Sequence, residues 1–266
     1  MKVTLITGAS SGIGEEFAKQ LAAKKHNLVL VARNEKKLAE ICDELMLEHK
    51  ITAHFVAIDL NDFKADKRLF NETEHHNLEV EWLINNAGYG SLGDFAELDL
   101  ENELEMIGLN VMSLVALTHR YLEPMRERRT GTIINVSSAA GFQPVPYMAT
   151  YSATKAFVTT FTEAIADENR KYGIRTMALC PGATETNFFA ASGIDKPVKL
   201  KGVQTAEEVV TTALAAVERG KTSIVPGWVN YAGAFFGSKL PKRLVSKVVG
   251  SVVRGQVERD KKSAQP

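Results

Sequence analysis

The chain has 266 residues, 45% hydrophobic and 24% charged, enough apolar surface to bury a sizeable core and too much for a disordered chain. Lysine plus arginine and aspartate plus glutamate both number 32, so no net field draws the whole molecule to nucleic acid or membrane. Cys42 and Cys180 stand far apart, in no metal or redox spacing, and read as small core residues.

Short apolar runs predict strands at 3–7, 28–31, 53–58, 80–84, 132–136, 174–179 and 223–225. Amphipathic patterns predict helices at 13–25, 35–49, 62–76, 100–128, 151–171 and 205–219. The strands lack apolar/polar alternation, as strands covered on both faces do. Strand–helix alternation of this kind implies a doubly wound parallel α/β sheet of about seven strands. One Rossmann-type catalytic domain is expected over 1–227, with 228–266 as its C-terminal helical extension. The opening apolar run stops too soon for an export signal, and the uncharged stretches 131–154 and 222–238 are broken by glycine, proline and polar residues. The expected compartment is the cytoplasm. His75-His76 has no companion ligands and reads as a solvated helix end, so no metal is expected.

Between the first strand and first helix stands Thr7-Gly8-Ala9-Ser10-Ser11-Gly12-Ile13-Gly14. Its glycines permit a tight turn and let backbone N–H groups approach a pyrophosphate, at a helix N-terminus that adds partial positive charge. The second strand ends Val31-Ala32-Arg33-Asn34, with Ala32 where an enzyme using NAD usually has an acid. A guanidinium at Arg33 pairs with a ribose 2′-phosphate in a fork, so NADP(H) is the expected cofactor, with Lys37 as a second positive charge.

Three segments carry candidate chemistry: Leu109-Asn110-Val111, Asn135-Val136-Ser137-Ser138 and Tyr151-Ser152-Ala153-Thr154-Lys155. Tyr151 and Lys155 are four apart and share a helix face. An ammonium close to the phenol would lower its pKa by roughly three pH units, into the range where an acid/base works. Ser137 and Ser138 are successive strand residues, so only one of them reaches the substrate.

The TGxxxGxG loop, Asn85-Asn86-Ala87-Gly88, Ser138 with Tyr151 and Lys155, and Pro181-Gly182 together resemble the short-chain dehydrogenase/reductase family over residues 3–226. The resemblance implies that Tyr151 exchanges a proton with the substrate and that Ser138 polarises the carbonyl. Lys155 would lower the tyrosine pKa and bind the nicotinamide ribose, and Asn110 would hold a relay water. It also implies that Gly8, Ser10, Ser11, Gly12, Ile13 and Gly14 bind phosphate. Asp59 and Leu60 would lie near the adenine and Asn86, Ala87 and Gly88 along the adenosine. Pro181, Gly182, Thr184 and Thr186 would surround the nicotinamide. A homodimer or homotetramer is expected.

Bulky residues before the tyrosine helix (Phe142, Pro144, Val145, Tyr147, Met148), with Tyr89 and with Phe188, Phe189 and Ile194, are candidate pocket walls. They suit an apolar or mixed ketone or alcohol. Residues 183–204 read as a lid. The tail resembles the subgroup with an extra C-terminal helix that includes hydroxysteroid and 3-ketoacyl reductases. Its helix, 241–257, has the apolar stripe Leu244, Val245, Val248, Val249, Val252 and Val253; eight basic residues follow Leu240 or directly precede it, against Glu258 and Asp260. Packing on its own domain or a sister subunit is the favoured reading, then a substrate-access flap. Membrane contact ranks last, because the stripe lacks deep-inserting aromatics. The alternative function is a dinucleotide-sensing protein with little turnover; epimerisation or dehydration with a tightly held cofactor is disfavoured.

Overall fold

A computed structural model describes residues 1–186, 188 and 202–263, with side chains to residue 255. In chain order it has β1 (Lys2–Thr7), α1 (Gly12–Ala23), β2 (Leu28–Ala32), α2 (Glu35–His49), β3 (Ala53–Ala57), α3 (Ala65–His75) and β4 (Glu79–Asn85). Then come α4 (Leu100–Ile107), α5 (Leu114–Arg128), β5 (Gly131–Val136), α6 (Ala149–Arg170) and β6 (Ile174–Leu179). The C-terminal part holds β7 (Thr184–Glu185), β8 (Gln204–Thr205), α7 (Ala206–Glu218), β9 (Ser223–Ile224), α8 (Trp228–Lys239) and α9 (Lys242–Ser263).

Seven strands form one parallel sheet in the order β3-β2-β1-β4-β5-β6-β9. Alternate residues of each strand feed opposite cores. Ile6, Leu28, Leu30 and Ile84 pack with Phe17 of α1 and Val210 of α7. Leu5, Val29, Val31 and Leu83 pack with Leu69 of α3 and Tyr121 of α5. The central strands are therefore dry on both faces, which is why their runs show no alternation, whereas edge strand β3 leaves Phe55 partly in solvent. The order reverses between β1 and β4, and the chain leaves those two strands in opposite directions. The resulting crevice at the carboxyl ends is where such a sheet takes its ligand.

The structure departs from the sequence reading in three places. The expected helix 100–128 is interrupted by a π-helical turn, Gly108–Ser113, which widens the backbone around Asn110. The third helix starts at Ala65, not 62, because Lys64 at its N-cap is left-handed with φ 56°. Trp228–Lys239, inside the expected helical extension but ahead of its expected helix at 241–257, forms a separate helix. Its inner and outer faces are both apolar or small, so it carries no amphipathic signal.

Near the carboxyl ends of β4 and β5 a polar ladder crosses the sheet. Asn85 donates through Nδ2 to Thr118 Oγ1 at 3.0 Å and to Asn135 Oδ1 at 2.9 Å, and Asn135 Nδ2 donates to Thr162 Oγ1 at 3.0 Å. All four residues are buried. Asn135→Ala strands partners on both sides and is expected to cost about 2–3 kcal/mol in urea unfolding.

Candidate active site

The glycine loop is shaped by close approach. Gly8 has φ +64°, and a Cβ on it would lie 2.8 Å from Asn86 Nδ2 and 2.9 Å from Ala87 Cα; one on Gly14 would lie 2.2 Å from Gly8 O. Asn86 Nδ2 donates to Thr7 O and Gly8 O, while Thr7 Oγ1 accepts from the backbone N–H groups of Asn86 and Ala87. The loop after β1 is thus stitched to the loop after β4 across the crevice. Ser11 caps α1 without a side-chain hydrogen bond, and the first-turn N–H groups of a helix have no partner within it. An unengaged hydroxyl and free N–H groups at a helix N-terminus fit a dinucleotide pyrophosphate.

At the end of β2, the Arg33 side chain is 79% exposed and stands 3.7 Å from Asp59. Asp59 also accepts from the Asn61 N–H. Asn34 caps α2 by accepting from the Lys37 N–H, so Arg33 immediately precedes a helix N-terminus. Arg33 and Asp59 therefore stand together at the carboxyl ends of β2 and β3.

Strand alternation separates the two serines. Ser137 Oγ turns into α6, donating to Lys155 O at 2.7 Å and pairing with Thr159 Oγ1 at 2.7 Å. Ser138 turns the other way, accepting from the Ala140 N–H and donating to Pro181 O at 3.5 Å, and its hydroxyl acts to lower the pKa of the neighbouring Tyr151 phenol. Tyr151 and Lys155 share one face of α6, with Lys155 Nζ 5.8 Å from the tyrosine ring centroid. The amine donates to Val136 O at 2.8 Å. A Cβ on Gly141 would lie 2.8 Å from the Lys155 backbone carbonyl, so only glycine lets this turn lie against α6 there.

Asn110 sits in the π turn, buried. Its amide clamps Tyr89, accepting from Tyr89 N–H and donating to Tyr89 O, and donates to Thr154 Oγ1. A Cβ on Gly88 would meet Asn110 Oδ1 at 2.7 Å and Lys155 Nζ at 3.5 Å, so the three converge.

Burial sets the titration of the pair. It pushes the Tyr151 phenol up to about 12, a rise that the Ser138 hydrogen bond opposes, and it pulls the Lys155 amine down to about 8. The expectation that Lys155 lowers the phenol by roughly three pH units is not met. The amine is turned onto the Val136 carbonyl, and desolvation of the phenol dominates. Burial also raises both thiols, Cys42 to about 12 and Cys180 to about 11, as inert core residues require.

A family model described as short chain dehydrogenase matches residues 2–196. The chain belongs to the short-chain dehydrogenase family. The very-long-chain 3-oxoacyl-CoA reductase of Rattus norvegicus is 32% identical over 260 residues, covering 91% of this chain and 82% of its own. A short-chain dehydrogenase from Sphingobium yanoikuyae in complex with NADPH is 32% identical, with TM-score 0.82, over 90% of this chain and 94% of that one. Another, from Burkholderia phymatum in complex with NAD, is 25% identical, with TM-score 0.79, over 88% and 92%.

The remaining residues singled out in this short-chain dehydrogenase divide by place. Pro181 and Gly182 follow β6, and Thr184 begins β7, which pairs in parallel with β8. Thr186 packs on Gly12: a Cβ there would meet Thr186 Cγ2 at 3.0 Å. Phe188 leans on Tyr151, ring centroids 5.4 Å apart. Phe189, Ile194 and most of the expected lid lie outside the described residues. Val145 is buried, and Tyr147 engages α9 by accepting a hydrogen bond from Arg254 Nε. His76 pairs with Glu72 on the exposed end of α3.

Two contributors escaped the sequence. Gly90 has no room for a Cβ, which would lie 2.9 Å from Tyr151 Cδ2. Asn230 of α8 donates to Gly202 O, Gln204 Oε1 and Pro226 O, and its side chain fills the space a Cβ on Gly182 would take. Gly90, two residues beyond Asn86-Ala87-Gly88, was within reach of the motif. Nothing marked Asn230.

Lys155→Met is expected to stabilise the protein while removing activity. A fall from 10.5 to about 8 corresponds to about 3 kcal/mol, of which loss of the bond to Val136 O takes back about 1. A depressed lysine costs most where both states are protonated, so the gain should be full below pH 8 and shrink between pH 8 and 10.5, read by urea midpoints.

Proposed function

We propose that this short-chain dehydrogenase is an NADP(H)-dependent oxidoreductase acting on a carbonyl or secondary alcohol of an apolar or mixed substrate. The observation that carries this reading is the meeting of Ser138, Tyr151 and Lys155 at the carboxyl end of β5, beside the glycine loop. The nicotinamide dinucleotide supplies or accepts the hydride. The chain's own residues handle the proton and the oxygen. Ser138 polarises the carbonyl, Tyr151 Oη delivers or removes the proton, and Lys155 offers the ammonium that stabilises the phenolate left behind. With the phenol at about 12 and the amine at about 8, both hold their protons near neutral pH. Asn110 keeps the wall behind Lys155 in place through its side chain, and in this reading it holds a relay water.

Relatives of this fold take either dinucleotide, so the choice rests on residues after β2. Ala32 offers no carboxylate, and the exposed Arg33 guanidinium is free to fork onto a 2′-phosphate in place of Asp59. Gly8, Ser10, Ser11, Gly12, Ile13 and Gly14 hold the pyrophosphate in this reading. Asp59, Leu60, Asn86, Ala87 and Gly88 flank the adenosine half, and Pro181, Gly182, Thr184 and Thr186 the nicotinamide half. The very-long-chain 3-oxoacyl-CoA named for the rat relative is of the apolar class that Phe188, beside Tyr151, suits. Self-association is supported by Leu104, Met112 and Phe157, large apolar side chains exposed on α4, the π turn and α6. Nothing favours a non-turning-over sensor, which has no use for a buried amine.

Tyr151→Phe should lower kcat by about a thousandfold and Ser138→Ala by about a hundredfold, with unchanged dinucleotide affinity. Arg33→Ala should raise KM for NADPH about tenfold and leave NADH unchanged. A wild-type NADPH/NADH ratio of kcat/KM near one sinks the 2′-phosphate assignment. Screening ketones and 3-oxoacyl thioesters with NADPH tests the substrate class; activity confined to charged sugars would exclude it.

A further inference from the structure

The C-terminal stretch bears two apolar stripes that the domain does not cover. On α8, Trp228, Tyr231 and Phe235 fall on one face at three- and four-residue spacing and are 81%, 56% and 46% exposed. Tyr231 is stacked on Phe235, and Phe235 lies edge-on to Phe236. On α9 the expected stripe splits. Val245 is buried against the domain and Gly250 packs on Pro146, whereas Leu244, Val248 and Val252 each leave more than half their surface in solvent. The two helices touch, joined through the exposed Leu240 and Pro241.

The charge around these stripes has one sign. From Trp228 to Val257 the chain carries Lys239, Lys242, Arg243, Lys247 and Arg254 and no acidic residue. Lys239, Lys242, Arg243 and Lys247 are exposed, and Arg254 is hydrogen-bonded to Tyr147. Among the described residues no helix is long and apolar enough to cross a membrane. An exposed aromatic and aliphatic face ringed by cations is the pattern of a helix lying in the plane of an interface.

We infer that the α8–α9 face docks this protein on an anionic lipid bilayer, with Trp228, Phe235 and Leu244 entering the headgroup–acyl boundary and Lys239, Lys242, Arg243 and Lys247 pairing with lipid phosphates. A second copy of the chain is the poorer occupant. A twofold contact pairs this face with the same face of the partner, which carries cations and no acidic residue from Trp228 to Val257 to complement them. The reading ranked last from the sequence gains here because α8 supplies the aromatics that the α9 stripe lacks. It is independent of the substrate: the face contains none of the residues that meet at β5.

The experiment is flotation of the full chain with phosphatidylcholine vesicles and with equimolar phosphatidylcholine/phosphatidylserine vesicles. Binding to the anionic vesicles alone is expected, with release as salt is raised. Changing Lys239, Lys242 and Arg243 together to glutamine should weaken partition at least about tenfold. Trp228 and the buried Trp82 are the two tryptophans, so a blue-shifted emission on vesicle binding that Trp228→Phe abolishes places Trp228 in the interface. Equal binding to both vesicle types, or to neither, overturns the proposal. So does light scattering that shows Trp228→Ser/Phe235→Ser dissociating an oligomer, since the face then belongs to a second copy. Reduction of a water-soluble ketone by these variants should match wild type, which separates loss of docking from unfolding.

Discussion

The amine of Lys155 is held in a dry place, and the architecture around it follows from that need. A buried ammonium loses its water and must be given oxygen in return. Val136 O supplies it, at the last residue of β5, so α6 must lie against that strand end. Ser137 holds the Lys155 carbonyl, Gly141 lets the turn after β5 touch the same backbone, and Gly88 leaves room for Nζ beside Asn110. Four elements are thereby fixed around one side chain. The cost is real, since the amine is pulled well below its ordinary range, and it buys an ammonium next to a phenol rather than extra stability.

The glycine loop and the catalytic end are braced by the same kind of bond. Thr7 and Asn86 stitch the loops after β1 and β4, while Asn85, one residue earlier, points into the sheet and joins Asn135. Consecutive asparagines thus serve opposite faces: one closes the crevice floor and the other ties β4 to β5. A mutation in this motif acts on dinucleotide binding and on strand pairing together, so loss of activity there does not by itself place a residue in contact with ligand.

Much of this was legible in the chain. Two-faced burial leaves unalternating runs, and these gave the parallel sheet. Period-two geometry separated Ser137 from Ser138, and four-residue spacing put Tyr151 and Lys155 on one face. The direction of the phenol's titration was not legible. Spacing brings a charge near, but burial and the partner the amine chooses decide the outcome, and both are properties of the folded packing. The π turn was hidden for a similar reason: 100–128 keeps a helical apolar pattern throughout, and only tertiary contact of Asn110 with Tyr89 and Thr154 accompanies the widened turn.

The helix Trp228–Lys239 shows most clearly how a sequence pattern fails. Its inner face carries Asn230, Ala234 and Gly237, small enough to lie against the turn after β5 and to hold Gly202, Gln204 and Pro226. Its outer face carries Trp228, Tyr231 and Phe235. Small residues face the protein and large apolar ones face outward, the reverse of a surface helix in water. Periodicity analysis asks which side is greasy and assigns it to the core, so here it finds either nothing or the wrong side. The inversion is itself the informative feature: a helix built this way braces Gly182 and the β7–β8 pair from within while keeping its bulk for something outside the chain.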